Sequence, residues 1–245
     1  MLFFGKKKTP PTIDLSWLGT DMHSHLIPGI DDGAPDMATS LEMIRGLQTL
    51  GYKKLITTPH VLWDVYPNTT EQITEGLALL KNAVLEEGIE IDLQAAAEYF
   101  IDEHFEEVLK NNIPLLPLSG NKVLVEFSMI MAPMDLEQLL FEMQIQGYQP
   151  VIAHPERYIY LTNRKSFFDD LKNSGCLFQL NLLSLTGYYG RSVQELAEYL
   201  CKKDYYSLAG TDLHNSHHLA GLQKLSASPL LSRLKESGLL KNDLL

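Results

Sequence analysis

The chain has 245 residues, of which 45% are hydrophobic and 21% are charged. This composition is typical of a folded globular protein and excludes a disordered, collagen-like or coiled-coil chain. Its 20 Lys and Arg residues against 31 Asp and Glu residues give a formal net charge of −11, which argues against a nucleic-acid partner and so against an exonuclease.

Short apolar runs alternate along the chain with helical patterns, which is typical of βα units around a parallel sheet. The runs predict seven strands, at 18–22, 54–58, 91–96, 123–127, 150–153, 177–180 and 206–209. Seven units favour a closed or nearly closed α/β barrel. A doubly wound open sheet is the alternative, but no Gly-x-Gly-x-x-Gly follows any predicted strand. We expect one domain over 1–245, with a short N-terminal extension at about 1–15.

Helix signals lie between these strands. The segment 36–50 carries apolar residues at three- and four-residue spacing, so one helix is predicted there. Thr69 with Gln72, and Ser192 with Glu195, have the spacing of capping boxes, and we predict that helices begin near both positions.

The two cysteines, Cys176 and Cys201, are too few for a disulfide framework, and neither is followed by the phosphate-binding loop of a cysteine phosphatase. The N-terminus is not a secretory signal, and no apolar run reaches the length of a spanning helix. We therefore expect a cytoplasmic protein that does not span a membrane. Phe3, Phe4 and the lysines after them could touch a membrane surface, although a frayed terminus is the commoner explanation.

Side chains of the types that bind metals lie at the carboxyl ends of six of the seven predicted strands, where parallel barrels keep their active sites. They are His23, His25, Asp31, Asp32, His60, Glu98, Glu126, His154, Asp212 and His214. The sixth strand offers only Asn181. A single His or Glu at such a position is more often structural. Imidazoles and carboxylates crowded at one rim, however, repel and desolvate one another unless cations neutralise them, so we predict a metal cluster.

The spacing of these residues supports both the barrel and the site. Residues two apart in a strand face the same side, so His23 and His25 can bind one ion, and Asp212 and His214 repeat this arrangement after the last strand. In a closed barrel the first and last strands are neighbours, which would bring the two pairs together. Ligands of this type, without thiolates, suit manganese, zinc, iron or magnesium.

Nine of these groups, all except Asp31, are the candidate ligands, and one ion cannot use nine. Two or three ions are therefore expected, with positions left for water and substrate. Three divalent ions outweigh four carboxylates, so the loaded site would attract a small anion. Arg157, three residues after His154, lies where a loop can present it to that anion. The alternative for Arg157 is an ion pair with Glu156 or another surface carboxylate.

The candidates fall in a series of short motifs: HSH at 23–25, PGIDDGA at 28–34, TTPH at 57–60, AEY at 97–99, VEF at 125–127, AHPERY at 153–158 and GTDLHN at 210–215. In combination they resemble the polymerase-and-histidinol-phosphatase (PHP) superfamily. They are more closely similar to the bacterial metal-dependent protein tyrosine phosphatases of capsule and exopolysaccharide gene clusters. The resemblance runs from about residue 20 to about residue 230.

The resemblance implies a distorted TIM-like barrel of seven βα units, the PHP fold, and a trinuclear site usually studied with manganese. It implies hydrolysis of phosphotyrosine on the tail of a bacterial tyrosine kinase, with Arg157 binding the phosphate. The implied ligand sets are, for the first ion, His23, His25, Glu98 and Asp212; for the second, the bridging Glu98 with Glu126 and His154; and for the third, Asp32, His60 and His214. The family commonly has an arginine where this chain has 216–219 (SHHL), so His217 or His218 either replaces it or is solvated.

The implied chemistry is in-line attack on phosphorus by a hydroxide that bridges the ions, with Arg157 neutralising charge on the phosphoryl oxygens. We expect Arg157, Glu98, His60 and His214 to be the catalytic groups, the two histidines acting as ligands in preference to proton donors. A phenol leaves readily, so a strong general acid is not essential for a tyrosine ester.

Two alternatives of function stay open at this point. One is a small-molecule phosphatase, such as one that acts on histidinol phosphate, since the site would be nearly the same. The other is a non-catalytic phosphotyrosine-binding module, which would need a broken ligand set. The aromatic loops 188–191 and 63–67 either line a peptide groove or, as is commoner, pack against the rim.

Overall fold

The structure is a computed structural model that describes residues 13–245. Within them the strands are β1 Thr20–Asp21, β2 Lys54–Thr57, β3 His60–Val61, β4 Asp92–Ala95, β5 Glu98–Phe100, β6 Lys122–Glu126, β7 Gln149–Ala153, β8 Leu177–Asn181 and β9 Tyr206–Gly210. The α-helices are α1 Met37–Thr49, α2 Thr70–Glu86, α3 Glu103–Lys110, α4 Leu136–Ile145, α5 Ser166–Asn173, α6 Arg191–Lys202, α7 Ser216–Leu222 and α8 Pro229–Ser237.

The predicted alternation of strands and helices is confirmed, and every pair of named strands is parallel. Two strands continue beyond their predicted ends at 58 and 96 and are split: β2 resumes as β3, and β4 resumes as β5, each after two residues. Pro59 lies in the first gap and has no N–H to donate to a ladder. The splits divide the strands into a β1-β2-β4 sheet and a β3-β5-β6-β7-β8-β9 sheet. Because β3 continues β2 and β5 continues β4, both sheets belong to one barrel wall, as expected for the distorted (β/α)7 barrel.

The first and last strands meet at the carboxyl end of the barrel through hydrogen bonds outside the regular ladder. The backbone N–H of Asp212 donates to the carbonyl of His23 (2.7 Å), and the N–H of His25 donates to the carbonyl of Leu213 (2.9 Å). The barrel is therefore closed, as the spacing of the two ligand pairs predicted, and its closure brings those pairs together.

We call the junction between the first and last strands the seam. On the amino-terminal side of these bonds, side chains hold the seam together. The backbone N–H and the hydroxyl of Thr211 both donate to the Asp21 carboxylate, at 2.8 Å each. The buried Asn242 side chain donates to the carbonyls of Thr20 (2.9 Å) and Ala209 (2.6 Å), and its oxygen accepts from the N–H of Ala209 (3.0 Å). Asn242 thus supplies main-chain partners that β1 and β9 do not supply to each other here.

Apolar residues form a cluster inside the barrel that is separate from the larger one under the helices. The interior members are Met22, Ile56, Ala96, Leu118, Leu124, Val151, Ala153 and Leu208. Val125 belongs to the outer cluster, as the two-residue period of a strand requires. Glu98 and Glu126 lie two residues beyond the interior residues Ala96 and Leu124, so the same alternation directs both carboxylates into the mouth of the barrel.

The helix predictions are confirmed in two cases and corrected in one. The predicted helix 36–50 is α1, capped by Asp36, and the Thr69–Gln72 capping box is formed at the start of α2. The α6 helix begins near Ser192 as expected, but the box predicted there is wrong. Gly190 is the N-cap residue and no side-chain cap bond is made, because Ser192 already lies inside the first turn.

Most of the predicted N-terminal extension, with Phe3, Phe4 and the lysines, lies outside the described residues. Its last part differs from the expectation, because Ile13 and Leu15 are buried in the core. None of the helices in residues 13–245 has the length and apolar character that a membrane span requires.

We predict that Asn242→Ala lowers the free energy of unfolding by about 2 to 4 kcal/mol, because the main-chain groups it satisfies would stay buried without partners. Urea unfolding followed by circular dichroism measures this. The exposed Asn173→Ala is the matched control and should change stability by less than about 0.5 kcal/mol. Equal unfolding midpoints for the two variants would show that the seam does not depend on Asn242.

Candidate metal centre

The nine predicted ligand candidates converge at the carboxyl end of the barrel. His23, His25 and Glu98 are fully buried at the floor. Above them lies an open cavity of about 430 Å³, whose lining includes the other six candidates: Asp32, His60, Glu126, His154, Asp212 and His214. The donor atoms fall into three close groups in which all atoms of a group lie within 4.8 Å of one another.

The first group contains His23, His25, Glu98 and Asp212, the set that the resemblance implies for the first ion. The Nε2 atom of His23 lies 3.0 Å from Glu98 Oε2 and 3.2 Å from Asp212 Oδ1, and the Nε2 atom of His25 lies 3.4 Å from each of the same two oxygens. Two imidazole nitrogens and two carboxylate oxygens therefore face one point, which is a donor set suited to a divalent cation.

The other two groups share His60. Its Nδ1 atom lies 3.1 Å from Glu126 Oε1 and 3.2 Å from Glu98 Oε2, and its Nε2 atom lies 3.4 Å from Asp32 Oδ1. The Nε2 atom of His214 is also 3.4 Å from Asp32 Oδ1, and His25 completes that group. In this geometry His60 faces Glu126 as well as Asp32, whereas the resemblance assigns it to the third ion alone.

His154 lies beside these groups without belonging to one of them. Its Nε2 atom is 3.2 Å from Glu98 Oε1 and 3.7 Å from Glu126 Oε2. The two oxygens of Glu98 therefore face different imidazoles, Oε1 facing His154 while Oε2 faces His23, His25 and His60. Glu98 therefore offers one oxygen to each of two sets of imidazoles.

Several buried polar atoms of the cluster have no hydrogen-bond partner, which is costly unless a cation satisfies them. Two of them, His60 Nδ1 and Glu98 Oε2, face the other donors, and the third is His154 Nδ1, on the opposite side of its ring from the cluster-facing Nε2. The first two are only 3.2 Å apart, but this contact lacks the angles of a hydrogen bond. These atoms and the chemistry of the donor set fit divalent metal ions.

Protons on the imidazoles balance the negative charge of the neighbouring carboxylates. Burial lowers the pKa of the His60 imidazole, but the charge of Glu98 and the close contacts with the carboxylates of Asp32 and Glu126 outweigh this effect and raise that pKa to about 10. Close contacts with the imidazoles of His214 and His60 hold the pKa of the Asp32 carboxyl below its usual range. A cation that enters the cluster would take the place of such protons.

Gln179, in β8, orients two of the predicted ligands, and the sequence reasoning missed it. Its side-chain NH2 donates to the carbonyl of Leu180, so its oxygen faces the site and accepts the backbone N–H of His154 (3.1 Å). The Nδ1 atom of His23 lies 3.0 Å from that oxygen and must be the protonated nitrogen. The Nε2 lone pair of His23 is therefore left for a cation. A glutamine within an apolar strand was the available signal.

Two other imidazoles are oriented in the same way. The Nδ1 atom of His25 lies 2.7 Å from Asp31 Oδ2, and the Nδ1 atom of His214 lies 2.9 Å from the carbonyl of Asp212. Both contacts turn the Nε2 atom toward the cluster. Asp31 also accepts the N–H groups of Gly33 and His60, so it organises the site without belonging to a ligand group.

Unusual backbone positions hold the site together. His154 and Asp212 have φ of 33° and 50°, a left-handed conformation that costs a residue with a side chain about 1 kcal/mol or more. Gly33 and Gly210 lie directly against the two histidines of the first strand. A Cβ atom at Gly210 would be 2.6 Å from the Cβ of His23, and one at Gly33 would be 2.3 Å from the carbonyl oxygen of His25.

Arg157 contacts the cluster directly. Its Nη1 atom donates to Asp212 Oδ2 (3.0 Å), and its guanidinium lies over the Tyr189 ring, 4.7 Å from the centroid. Asn181, the polar residue at the carboxyl end of the sixth predicted strand, donates to the same Asp212 oxygen (2.8 Å). The alternative pairing with Glu156 is wrong, because Glu156 is buried and accepts hydrogen bonds from other groups of the barrel.

The structure also shows where His217, His218 and the two aromatic loops lie. His217 is exposed, whereas His218 lines the cavity together with Arg157. Burial lowers the pKa of His218, which favours a neutral imidazole. Of the two aromatic loops, Tyr189 and Tyr66 line the cavity, while Trp63 is 44% exposed and stacks on the His104 ring.

Fold and site together define the class: a parallel βα-barrel with a cluster of metal-binding side chains at its carboxyl end. The chain belongs to the CpsB/CapC family of capsular polysaccharide synthesis, whose model matches residues 19–232. This confirms the resemblance found in the motifs.

Similar proteins are named as phosphatases. The tyrosine-protein phosphatase YwqE of Bacillus subtilis is 33% identical over 196 residues, which cover 80% of this chain and 77% of YwqE. The putative tyrosine-protein phosphatase CapC of Staphylococcus aureus is 28% identical over 195 residues, with coverage of 80% and 76%. One solved structure matches this chain with a TM-score of 0.78 at 30% identity. It is described among the crystal structures of YwqE from Bacillus subtilis and CpsB from Streptococcus pneumoniae, unique metal-dependent tyrosine phosphatases. That match covers 91% of this chain and 94% of the solved chain.

We predict that Gln179→Leu weakens the binding of Mn²⁺ about 10- to 100-fold, because His23 would lose the acceptor that fixes its tautomer. Isothermal titration of chelator-stripped protein measures the affinity. The exposed Gln138→Leu in α4 is the matched control and should bind like the wild type. If Gln179→Leu also binds like the wild type, the orienting role of Gln179 is wrong.

Proposed function

We propose that this chain is a metal-dependent protein tyrosine phosphatase. The observation that carries the proposal is the buried group of His23, His25, Glu98 and Asp212, with Glu98 turned toward a second set of donors and Arg157 at its edge. The names of the relatives support phosphotyrosine as the substrate. The intact ligand set argues against a non-catalytic binding module.

The nine candidates named above would hold two or three divalent ions. Manganese is the first choice, and zinc, iron or magnesium would suit the same donors. When bound, the ions would supply a nucleophilic water at neutral pH and positive charge for the phosphoryl oxygens. Glu98, with an oxygen toward each side of the cluster, would contribute to holding them. His60 and His214 act in this proposal as ligands and not as proton donors.

The chain's own residues would bind and orient the ester. Arg157 can turn from Asp212 to present its guanidinium to a phosphoryl oxygen, while Tyr189 supports its other face. His218 is a second polar side chain at the same wall. Leu62, Phe100 and other apolar groups complete the lining and suit the ring of a phosphotyrosine. The tyrosine hydroxyl leaves readily as phenoxide, so no strong acid is required.

We further propose a cytoplasmic protein that acts on the phosphorylated tail of a tyrosine kinase in polysaccharide synthesis. The family of the chain supports the polysaccharide context. Cys176 and Cys201 are buried and unpaired, which suits a reducing compartment. A single domain over 1–245 is supported by the seam, since Asn242 binds both Thr20 and Ala209.

The test is phosphate release from a phosphotyrosine peptide and from histidinol phosphate, measured in parallel on manganese-loaded and chelator-stripped protein. We expect release mainly from the peptide, and only with metal. Glu98→Gln should lower kcat by at least about a thousandfold while the fold is retained, since it removes the charge shared by both sides of the cluster. The exposed Glu86→Gln in α2 is the matched control.

Preference for histidinol phosphate would move the function to small-molecule metabolism. Equal release by loaded and stripped protein, or near wild-type turnover by Glu98→Gln, would contradict the metal mechanism.

A further inference from the structure

A second concavity lies beside the cavity of the metal centre. It has a volume of about 810 Å³, and Phe100 lines both spaces. Its walls come from the loop after β3, the start of α3 and the segment 128–134 between β6 and α4. We call it the side groove. A ligand bound at the metal centre can therefore continue into the side groove past Phe100.

The walls of the side groove are unusually apolar for a surface. Met134 is fully exposed, Ile130 is 85% exposed and Met131 is 69% exposed, all within five residues of sequence. Trp63 faces them at 44% exposure. Contiguous exposed apolar side chains mark contact surfaces, and methionine adapts to varied partners.

The same groove carries negative charge. Asp64, Asp102, Glu103 and Glu107 line it, and its lining includes no Lys or Arg among the residues that the structure describes. This charge is opposite to that of a metal-loaded centre. The two spaces therefore differ in what they attract: an anion at the centre, and a basic, partly apolar segment in the side groove.

The floor of the side groove is fixed before any ligand binds. The Trp63 ring stacks on the His104 ring, with centroids 3.8 Å apart, and the N–H of Trp63 donates to Asp102 Oδ2 (3.3 Å). The other oxygen of Asp102 caps α3 by accepting the N–H of Phe105 (2.8 Å). A preorganised surface of this kind loses little conformational entropy when a peptide binds.

We propose that the side groove binds the segment next to the phosphotyrosine of a protein substrate, and that it selects segments with a Lys or Arg together with apolar residues. This inference rests on the proposed function and specifies its substrate class. Because Phe100 lines both spaces, the selected residues lie close in sequence to the phosphotyrosine. An acidic groove disfavours the anionic surface of a membrane as the occupant.

The test compares two phosphotyrosine peptides that differ only in flanking residues, lysines in one and glutamates in the other. Manganese-loaded protein should hydrolyse the lysine peptide with a kcat/KM about three- to tenfold higher, and salt at about 0.5 M should remove most of the difference. The hydrolysis of p-nitrophenyl phosphate, which has no flanking residues, provides the reference rate for every variant.

Charge reversal assigns the preference to the side groove. Asp64→Lys with Glu107→Lys, both at exposed positions, should abolish or invert the preference for the lysine peptide. Glu75→Lys with Glu86→Lys in α2 makes the same charge change at exposed positions outside both linings and should retain it. Met131→Ser with Met134→Ser tests the apolar wall and should lower the ratio of peptide to p-nitrophenyl phosphate kcat/KM about threefold or more.

The outcomes are distinguishable. Equal hydrolysis of the two peptides, or a preference that both charge-reversal pairs change alike, overturns the side-groove proposal and leaves the proposed function intact. If the loaded protein hydrolyses neither p-nitrophenyl phosphate nor any peptide, the proposed function fails and this inference fails with it.

Discussion

Four carboxylates and five imidazoles crowd the carboxyl end of this barrel, with contacts of 3.0 to 3.7 Å between imidazole nitrogens and carboxylate oxygens, and most of these side chains are buried. Such a group is costly to assemble unless positive charge balances it. The rest of the molecule holds this cluster in place. The closed barrel brings the first and last strands together, and its apolar interior packs beneath the site. The family membership and the metal-dependent relatives agree with this requirement.

Hydrogen-bond acceptors around the cluster fix the orientation of its imidazoles. Gln179, Asp31 and the carbonyl of Asp212 each accept from an imidazole, and so they decide which nitrogen faces the cluster. Left-handed backbone at His154 and Asp212 adds local strain, and two glycines allow the backbone to pack closely against His23 and His25. Sites that hold such strain are less stable but better preorganised. At the opposite end of the seam, the hydrogen bonds of Asn242 help to hold the barrel closed.

The sequence was sufficient for features that depend on local periodicity. Neighbouring residues determine the alternation of strands, the helix 36–50, the Thr69 cap and the residues that end each strand. Long-range contacts account for what it could not predict. Nothing near Gln179 indicates that it meets His23, and nothing near Asn242 indicates that it bridges Thr20 and Ala209. The split of two strands and the position of His60 between two donor groups likewise depend on the closed barrel. The assignment of each ligand to a particular ion stays a prediction.

The most direct measurement is anomalous diffraction from crystals of this protein soaked in Mn²⁺. We predict two or three peaks inside the cluster, one of them within about 2.5 Å of donor atoms of His23, His25, Glu98 and Asp212. Absence of any peak among these side chains at saturating Mn²⁺, or peaks only elsewhere on the protein, would contradict the claim that the cluster exists to hold metal ions.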